Sequence, residues 1–217
     1  MKADTVGGIT PAVLVQLAPK EKVLAAHEVM LHMDGAVHIA RKTMKQLGVS
    51  TSHLLSMRAM GDSDEGLFFA EFEGPGNVTF SRDKGGEVRI LQLQPNETVR
   101  LRAGHLICFD ETVRYNPFLL ARWVIQRGNE QETEHLFVDE LTGPGTIVFQ
   151  SYGNILTMTL QAGEGIRTST DGLLLSSPSN AVQVGWQAAS MGFGSGGGQT
   201  PILTVQGPGR VMVHSGV

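Results

Sequence analysis

The sequence predicts an all-β chain, and three observations carry that expectation. Strand-sized apolar runs such as "GLFFAEF" (66–72), "EVRILQL" (87–93), "ETVRL" (97–101), "ARWVIQR" (121–127) and "ILTMTLQ" (155–161) recur along it. Gly, Pro, Asn and Asp separate them at a spacing of about 8–12 residues, the pattern of a β-sandwich or barrel. A nine-residue phrase built on Gly-Pro-Gly occurs three times, as "FEGPGNVTF" (72–80), "LTGPGTIVF" (141–149) and "VQGPGRVMV" (205–213). A second phrase, Leu-x-x-x-Glu-x-apolar, opens a stretch ahead of each: "LAPKEKV" (17–23), "LQPNETV" (93–99) and "LQAGEGI" (160–166). Two phrases in one order, three times over, mark an internal triplication. The copies run over 17–82, 93–151 and 160–214 within one domain spanning 1–217.

Taken in order, each copy starts at its Leu/Glu phrase and passes into an apolar strand: "VMLHM" (29–33), "HLICF" (105–109) and "GLLLS" (172–176). In the first copy "ARKTMKQLG" (40–48) is the one helix candidate, with Gly48 as its C-terminal cap. Each copy then reaches its corner, made by Gly74, Pro75 and Gly76, by Gly143, Pro144 and Gly145, and by Gly207, Pro208 and Gly209. Pro at the second turn position and Gly at the third predict a type II turn. Apolar residues alternate on the outgoing strand, so each copy reads as two strands meeting at a tight corner with one buried face. The longest loop candidate is "MGFGSGGGQTP" (191–201). Units of strands with open edges pair those edges against neighbours, and a chain of three leaves terminal edges that other copies can close. A closed homo-oligomer follows as the expectation.

Composition narrows the class. The chain has 217 residues, 41% hydrophobic and only 6% aromatic, with 27 glycines, so the core should be aliphatic and the turns many. A formal net charge of −4 argues against the whole surface as a nucleic-acid footprint. Charge is uneven: residues 82–127 hold 8 basic and 5 acidic side chains, leaving 9 and 16 elsewhere. In "VRLR" (99–102) the alternation puts Arg100 and Arg102 on one strand face. With Arg114 they are the candidate ligand-binding residues, weighed against a plain solvated face; Arg122 adds to the same basic stretch. The single cysteine, Cys108, lies in "HLICFD" and reads as a buried structural thiol. No stretch is apolar for long enough to span a bilayer, and the N-terminus lacks the features of a secretory signal, so the expected compartment is the cytoplasm.

The residues "LAPKEKVLAAHEVMLHMDGAVHI", "GDSDEGLFFAEFEGPGNVTFS", "LQPNETVRLRAGHLICFDETVRY", "LTGPGTIVFQSYGNILTMTLQAGE" and "VQGPGRVMVHSG" together resemble, almost end to end, the mitochondrial-biogenesis family named for altered inheritance of mitochondria protein 24. The resemblance implies a fold similar to the tryptophan RNA-binding attenuator protein: short double-stranded β-helix units, three per chain, in a homotrimeric ring. It implies no activity, because the family has no settled one. Eukaryotic relatives look like mitochondrial inner-membrane organisation factors; lacking an Arg- and Ser-rich transit segment, this chain reads as a bacterial-type member. It departs from the family pattern where a Gly before the repeated Glu is Lys20 in copy one and Asn96 in copy two, kept as Gly163 in copy three. Lys tolerates positive φ less well than Asn, so the first corner is expected to be looser or differently shaped.

Candidate chemistry is sparse. Of the seven histidines, His27 and His32 fall on opposite faces of a continuous strand, a turn signal separates His32 from His38, and His53, His105, His135 and His214 stand alone. No metal and no cofactor is expected. "GFGSGGG" (192–198) has a phosphate loop's glycines without its Lys-Ser/Thr, and reads as a flexible hairpin loop. Glu21, Glu97 and Glu164 occupy equivalent places in three copies, which suits a turn hydrogen bond better than a catalytic set. Trp123 and Trp186 read as core or interface anchors, and Met30, Met33, Met57 and Met60 as core filling. The leading expectation is therefore a non-enzymatic β-ring scaffold whose first partner is itself. A small-molecule or RNA-binding sensor, by analogy with the attenuator protein, is the alternative, and a metal-dependent β-helix enzyme the second alternative.

Overall fold

The computed structural model describes residues 1–8, 10–26, 28–50, 68–82, 85–127, 130–190 and 199–216. Within them the chain is all-β, with nineteen strands and no helix. In order these are β1 (Lys2–Val6), β2 (Ala12–Leu17), β3 (Lys22–Ala26), β4 (Met30–Met33), β5 (His38–Thr43), β6 (Phe68–Glu73) and β7 (Gly76–Ser81). Then follow β8 (Val88–Leu93), β9 (Thr98–Arg102), β10 (Leu106–Asp110), β11 (Arg114–Arg127), β12 (Glu130–Thr142) and β13 (Gly145–Gln150). The last six are β14 (Ile155–Leu160), β15 (Gly165–Ser169), β16 (Leu173–Ser177), β17 (Gln183–Ser190), β18 (Gln199–Gln206) and β19 (Gly209–His214).

Four sheets result, in the strand orders β1-β2-β7-β4, β5-β6-β3-β10-β13-β8, β11-β12-β9-β16-β19-β14 and β15-β18-β17. All strand pairings are antiparallel. The pairings among β2 to β7 are met again among β8 to β13 and among β14 to β19. The first strand of each set pairs the last: Leu17 faces Gly76, Leu93 faces Gly145 and Leu160 faces Gly209. The third strand of each set pairs that same last strand through one bulge, between Met30 and His32, Leu106 and Cys108, and Leu173 and Leu175. Successive sets are joined by main-chain pairing, β3 with β10 and β9 with β16.

Three cores lie between successive sheets. Val13, Val15, Phe72, Val78 and Phe80 fill the first; Leu93, Leu101, Phe109, Ile147 and Phe149 the second; Leu160, Leu203, Val205 and Val211 the third. Alternation explains how one strand serves two of them: on β13, Ile147 and Phe149 enter the second core and Val148 the first. The core is aliphatic with a few edge-on ring pairs, such as Phe72 on Phe80 at 5.2 Å.

The repeated phrases meet at the corners. In each set the Glu carboxylate accepts a backbone N–H three residues upstream, from Ala18, Gln94 and Gln161 at 2.8, 2.9 and 2.7 Å. The same Glu's carbonyl accepts the N–H of the first corner glycine, Gly74, Gly143 or Gly207, at 3.0, 2.9 and 2.9 Å. A Cβ on any of those three glycines would come within 2.7 Å of the Cβ of Leu17, Leu93 or Leu160, so only glycine fits. The corners themselves are not type II turns. The Gly–Pro bonds at 74–75, 143–144 and 207–208 are cis, and Gly76, Gly145 and Gly209 take φ of 142°, 142° and 149°. The corner carries the chain out of one sheet into the next, β6 into β7 for example, rather than reversing it within a sheet.

Two further expectations need correction. Lys20 does not loosen the first corner: it takes φ of 66°, beside 64° at Asn96 and 85° at Gly163, so all three turns share one backbone shape. Residues 40–48 are not a helix. β5 runs to Thr43, and 44–48 form a turn. Thr43 and Gln46 do make the reciprocal bonds of a capping box, and Gly48 has φ of 80°, but Val49 bonds back to Met44 and ends the turn at once. Met44 and Val49 are both buried in the second core, so tertiary packing wins over helix propagation. The "GFGSGGG" loop, His27, His53, Met57 and Met60 lie outside the described residues.

Candidate functional site

Where β9 ends and β16 begins, a cleft of about 540 Å³ opens between the second and third sets of strands. Its walls include Arg102, His105, Tyr152, Asp171 and His214. Both histidines are buried, at 3% and 6% exposure, although sequence spacing leaves them alone. Their ring centroids are 5.2 Å apart, and Tyr152 lies 4.8 Å from the His105 ring. Strand ends bring them together: the His105 carbonyl accepts the Gln150 N–H at the end of β13, and His214 closes β19.

Each imidazole is oriented by a main-chain carbonyl. His105 Nδ1 lies 2.7 Å from the Gln150 oxygen and His214 Nδ1 lies 2.9 Å from the Tyr152 oxygen. A carbonyl oxygen only accepts, so both rings carry a hydrogen on Nδ1. His214 Nε2 is then left buried with no hydrogen-bond partner. Burial lowers the His105 pKa to about 4, with the neighbouring His214, Arg102 and Arg82 charges adding to the effect against the Gln150 bond. His105 is therefore neutral at neutral pH and offers a lone pair at Nε2. Such a cleft can hold a small polar molecule. Among the described residues, no group of three or more His, Cys, Asp or Glu side chains could hold a metal ion.

The arginine candidates are divided. Arg102 reaches the cleft, but its guanidinium donates to the Thr170 carbonyl and to Asp171 at 2.7 Å, tying β9 to the turn before β16. Arg100 donates to Glu140 at 3.2 Å and lies 5.1 Å from the centre of the Phe118 ring. Arg114 and Arg122 are exposed on β11 and do not join them. Trp123 is buried and donates from Nε1 to Glu134 at 3.0 Å, while Trp186 is 38% exposed. Cys108 is fully buried, and desolvation pushes its thiol pKa up, away from any nucleophilic role. Asp139, hydrogen-bonded by the Tyr115 hydroxyl at 2.8 Å, has its pKa raised to about 6 by burial. Neither the His105–His214 pair nor the Tyr115–Asp139 pair is visible in the sequence. The first joins residues more than a hundred positions apart, and only the second lies within one hairpin.

Comparison with known proteins bears on the fold. The chain is similar to a Streptococcus pyogenes protein of known crystal structure from a structural genomics consortium. Identity is 19%, 99% of this chain and 93% of that one are covered, and the TM-score is 0.66. No curated protein matches significantly. At the level of sequence, residues 4–216 match the family described as mitochondrial biogenesis AIM24. That span takes in every strand from β2 to β19 and all three Gly-Pro-Gly corners, so this chain belongs to the mitochondrial biogenesis AIM24 family.

Proposed function

We propose that the chain is a non-enzymatic assembly module: three tandem units like the tryptophan RNA-binding attenuator protein (TRAP-like units) that close with further copies into a homotrimeric β-ring serving as a scaffold. The observation that carries this reading is the way successive sets of strands are joined. β3 with β10 and β9 with β16 pair through main-chain hydrogen bonds, so each set is built to be continued edge to edge. The number three is taken from the family resemblance. The Gly-rich corners and the three glutamate turns, whose hydrogen bonds are exposed, serve this architecture. Native mass spectrometry tests it: a species of three times 23.3 kDa is expected, and a single chain at micromolar concentration overturns it.

The cleft favours a second reading, a small-molecule sensor. It lies between two sets of strands, and the buried His214 Nε2 is a polar atom with no hydrogen-bond partner, a place for a ligand to supply one. RNA has no comparable support, since Arg100 and Arg102 are spent on Glu140 and Asp171. A reproducible extra mass on the gently purified oligomer, lost in His214→Ala, is the expected sign of such a ligand. An oligomer with no extra mass leaves the scaffold alone standing.

A further inference from the structure

We infer that the chain binds a second copy of itself by pairing β15 of one copy with β4 of the next, antiparallel, with Thr168 opposite His32 and Arg167 opposite Met33. This rests on the oligomeric reading above and names the surface that makes it. The two six-stranded sheets have one plan. Each takes three strands from one set, β5-β6-β3 or β11-β12-β9, and three from the following set, β10-β13-β8 or β16-β19-β14. The two smaller sheets are the halves of a third such sheet. β17-β18-β15 supplies the first half and β4-β7-β2 the second, and in a single chain β15 and β4 stay apart.

Burial identifies the same two edges. Leu31, at the bulge of β4, is 66% exposed, while its counterparts Ile107 and Leu174, at the bulges of β10 and β16, are 0% exposed. Met30 is 39% exposed against 3% for Leu106 and 4% for Leu173. On the other edge Ile166 and Thr168 are half-buried, whereas Val23, Ala25, Val99 and Leu101, in the equivalent places of β3 and β9, are fully buried. The positions that a following set covers twice within the chain are the ones left open at its ends. A hollow of about 520 Å³ runs beside the free edge, lined by Arg167, Thr168 and Ser169 with Thr200, Pro201 and Ile202 of β18.

The register follows from the two internal junctions. Cys108 faces Ala25 and Phe109 faces Leu24; Leu175 faces Leu101 and Ser176 faces Arg100. Counted from the shared Leu/Glu phrase, Ala25, Leu101 and Thr168 are equivalent. Cys108, Leu175 and His32 are each the first residue paired after the bulge. The same offset therefore sets His32 against Thr168, with their Cβ atoms within the reach of a cross-strand pair.

The test uses the full chain carrying His32→Cys and Thr168→Cys, with Cys108 buried and out of reach of a mild oxidant. Covalent multimers under non-reducing conditions are expected, and neither single variant should form them. Leu31→Cys with Thr168→Cys, one residue out of register, should give at least tenfold less. In a separate variant, Leu31→Arg, the native mass should fall to one chain while the circular dichroism keeps its β signature, because that side chain is exposed in the single chain. An assembled wild type with no cross-link at 32 and 168, or with equal cross-linking at 31, overturns this interface and leaves the oligomer standing. A wild type that is monomeric by native mass overturns both. Should Leu31→Arg fail to fold, the cross-linking pair decides alone.

Discussion

His105 and Asp139 are buried groups whose titrations act against each other. The unfolded chain protonates a histidine at about its ordinary 6.5, while folded His105 resists protonation down to about 4. Between those values the unfolded state binds the extra proton, so this group's contribution to stability is lost as the pH falls. Asp139 runs the other way. Its folded carboxyl keeps a proton up to about pH 6, whereas the unfolded one releases it from 3.8 upward, so its contribution is lost as the pH rises. Each separation amounts to about 3 kcal/mol at about 1.4 kcal/mol per pH unit. The two slopes nearly cancel between pH 4 and 6. Asp139→Asn should therefore lose stability on acidification from pH 6.5 to 4 more steeply than wild type, and His105→Gln should lose it on raising the pH from 4 to 6. Urea titrations at four pH values measure this, and pH slopes unchanged from wild type in both variants would contradict the account.

At the scale of elements, the turns before the repeated Glu rest on local chemistry and were legible, whereas the Gly-Pro-Gly corners were placed but read as type II turns, which they are not. A left-handed residue before the repeated Glu is readable in Gly163 and Asn96, and the structure shows Lys20 held in the same conformation. A lysine there costs about 1 kcal/mol that glycine avoids. Lys20→Gly should accordingly raise stability by about 1 kcal/mol. Gly143→Ala should lower it by about 2–3 kcal/mol, because its Cβ would press into the Gln94 carbonyl and the Leu93 side chain. Denaturant midpoints separate the two cases, and a neutral Gly143→Ala would refute the close approach. What could not be read depends on packing between distant segments. Thr43, Gln46 and Gly48 spell a helix start and stop, and only the burial of Met44 and Val49 shows why one turn is all that forms. Trp123 and "ARWVIQR" suggest an ordinary strand, yet β11 and β12 pair from Arg114 with Thr142 to Arg127 with Glu130, broken only by a bulge between Leu119 and Ala121. The cleft was missed for the same reason, since the His105–His214 contact is made by sheet geometry and not by spacing.

For the whole molecule, the proposed assembly is tested by how much of the stability depends on a second copy. Leu31, Met30 and a full strand edge lie open on β4 in the single chain, an exposure that the proposed association would remove. When folding and association are coupled, mass action makes the melting midpoint depend on protein concentration. For a trimer that folds as it assembles, each tenfold dilution removes about 1 kcal/mol per chain. In a chain of 217 residues that corresponds to a midpoint lower by about 2–4 °C. Wild type should show this dependence, and Leu31→Arg should melt lower and at a temperature independent of concentration. The contrast matters more than either value. Both proteins share the same three cores, β7 against β4 included, so a concentration dependence present in wild type and lost in Leu31→Arg is assigned to the edge that Leu31 occupies. If the midpoint of wild type is the same over a hundredfold range, the fold is complete in one chain, and the open edges are shielded by something other than a second copy.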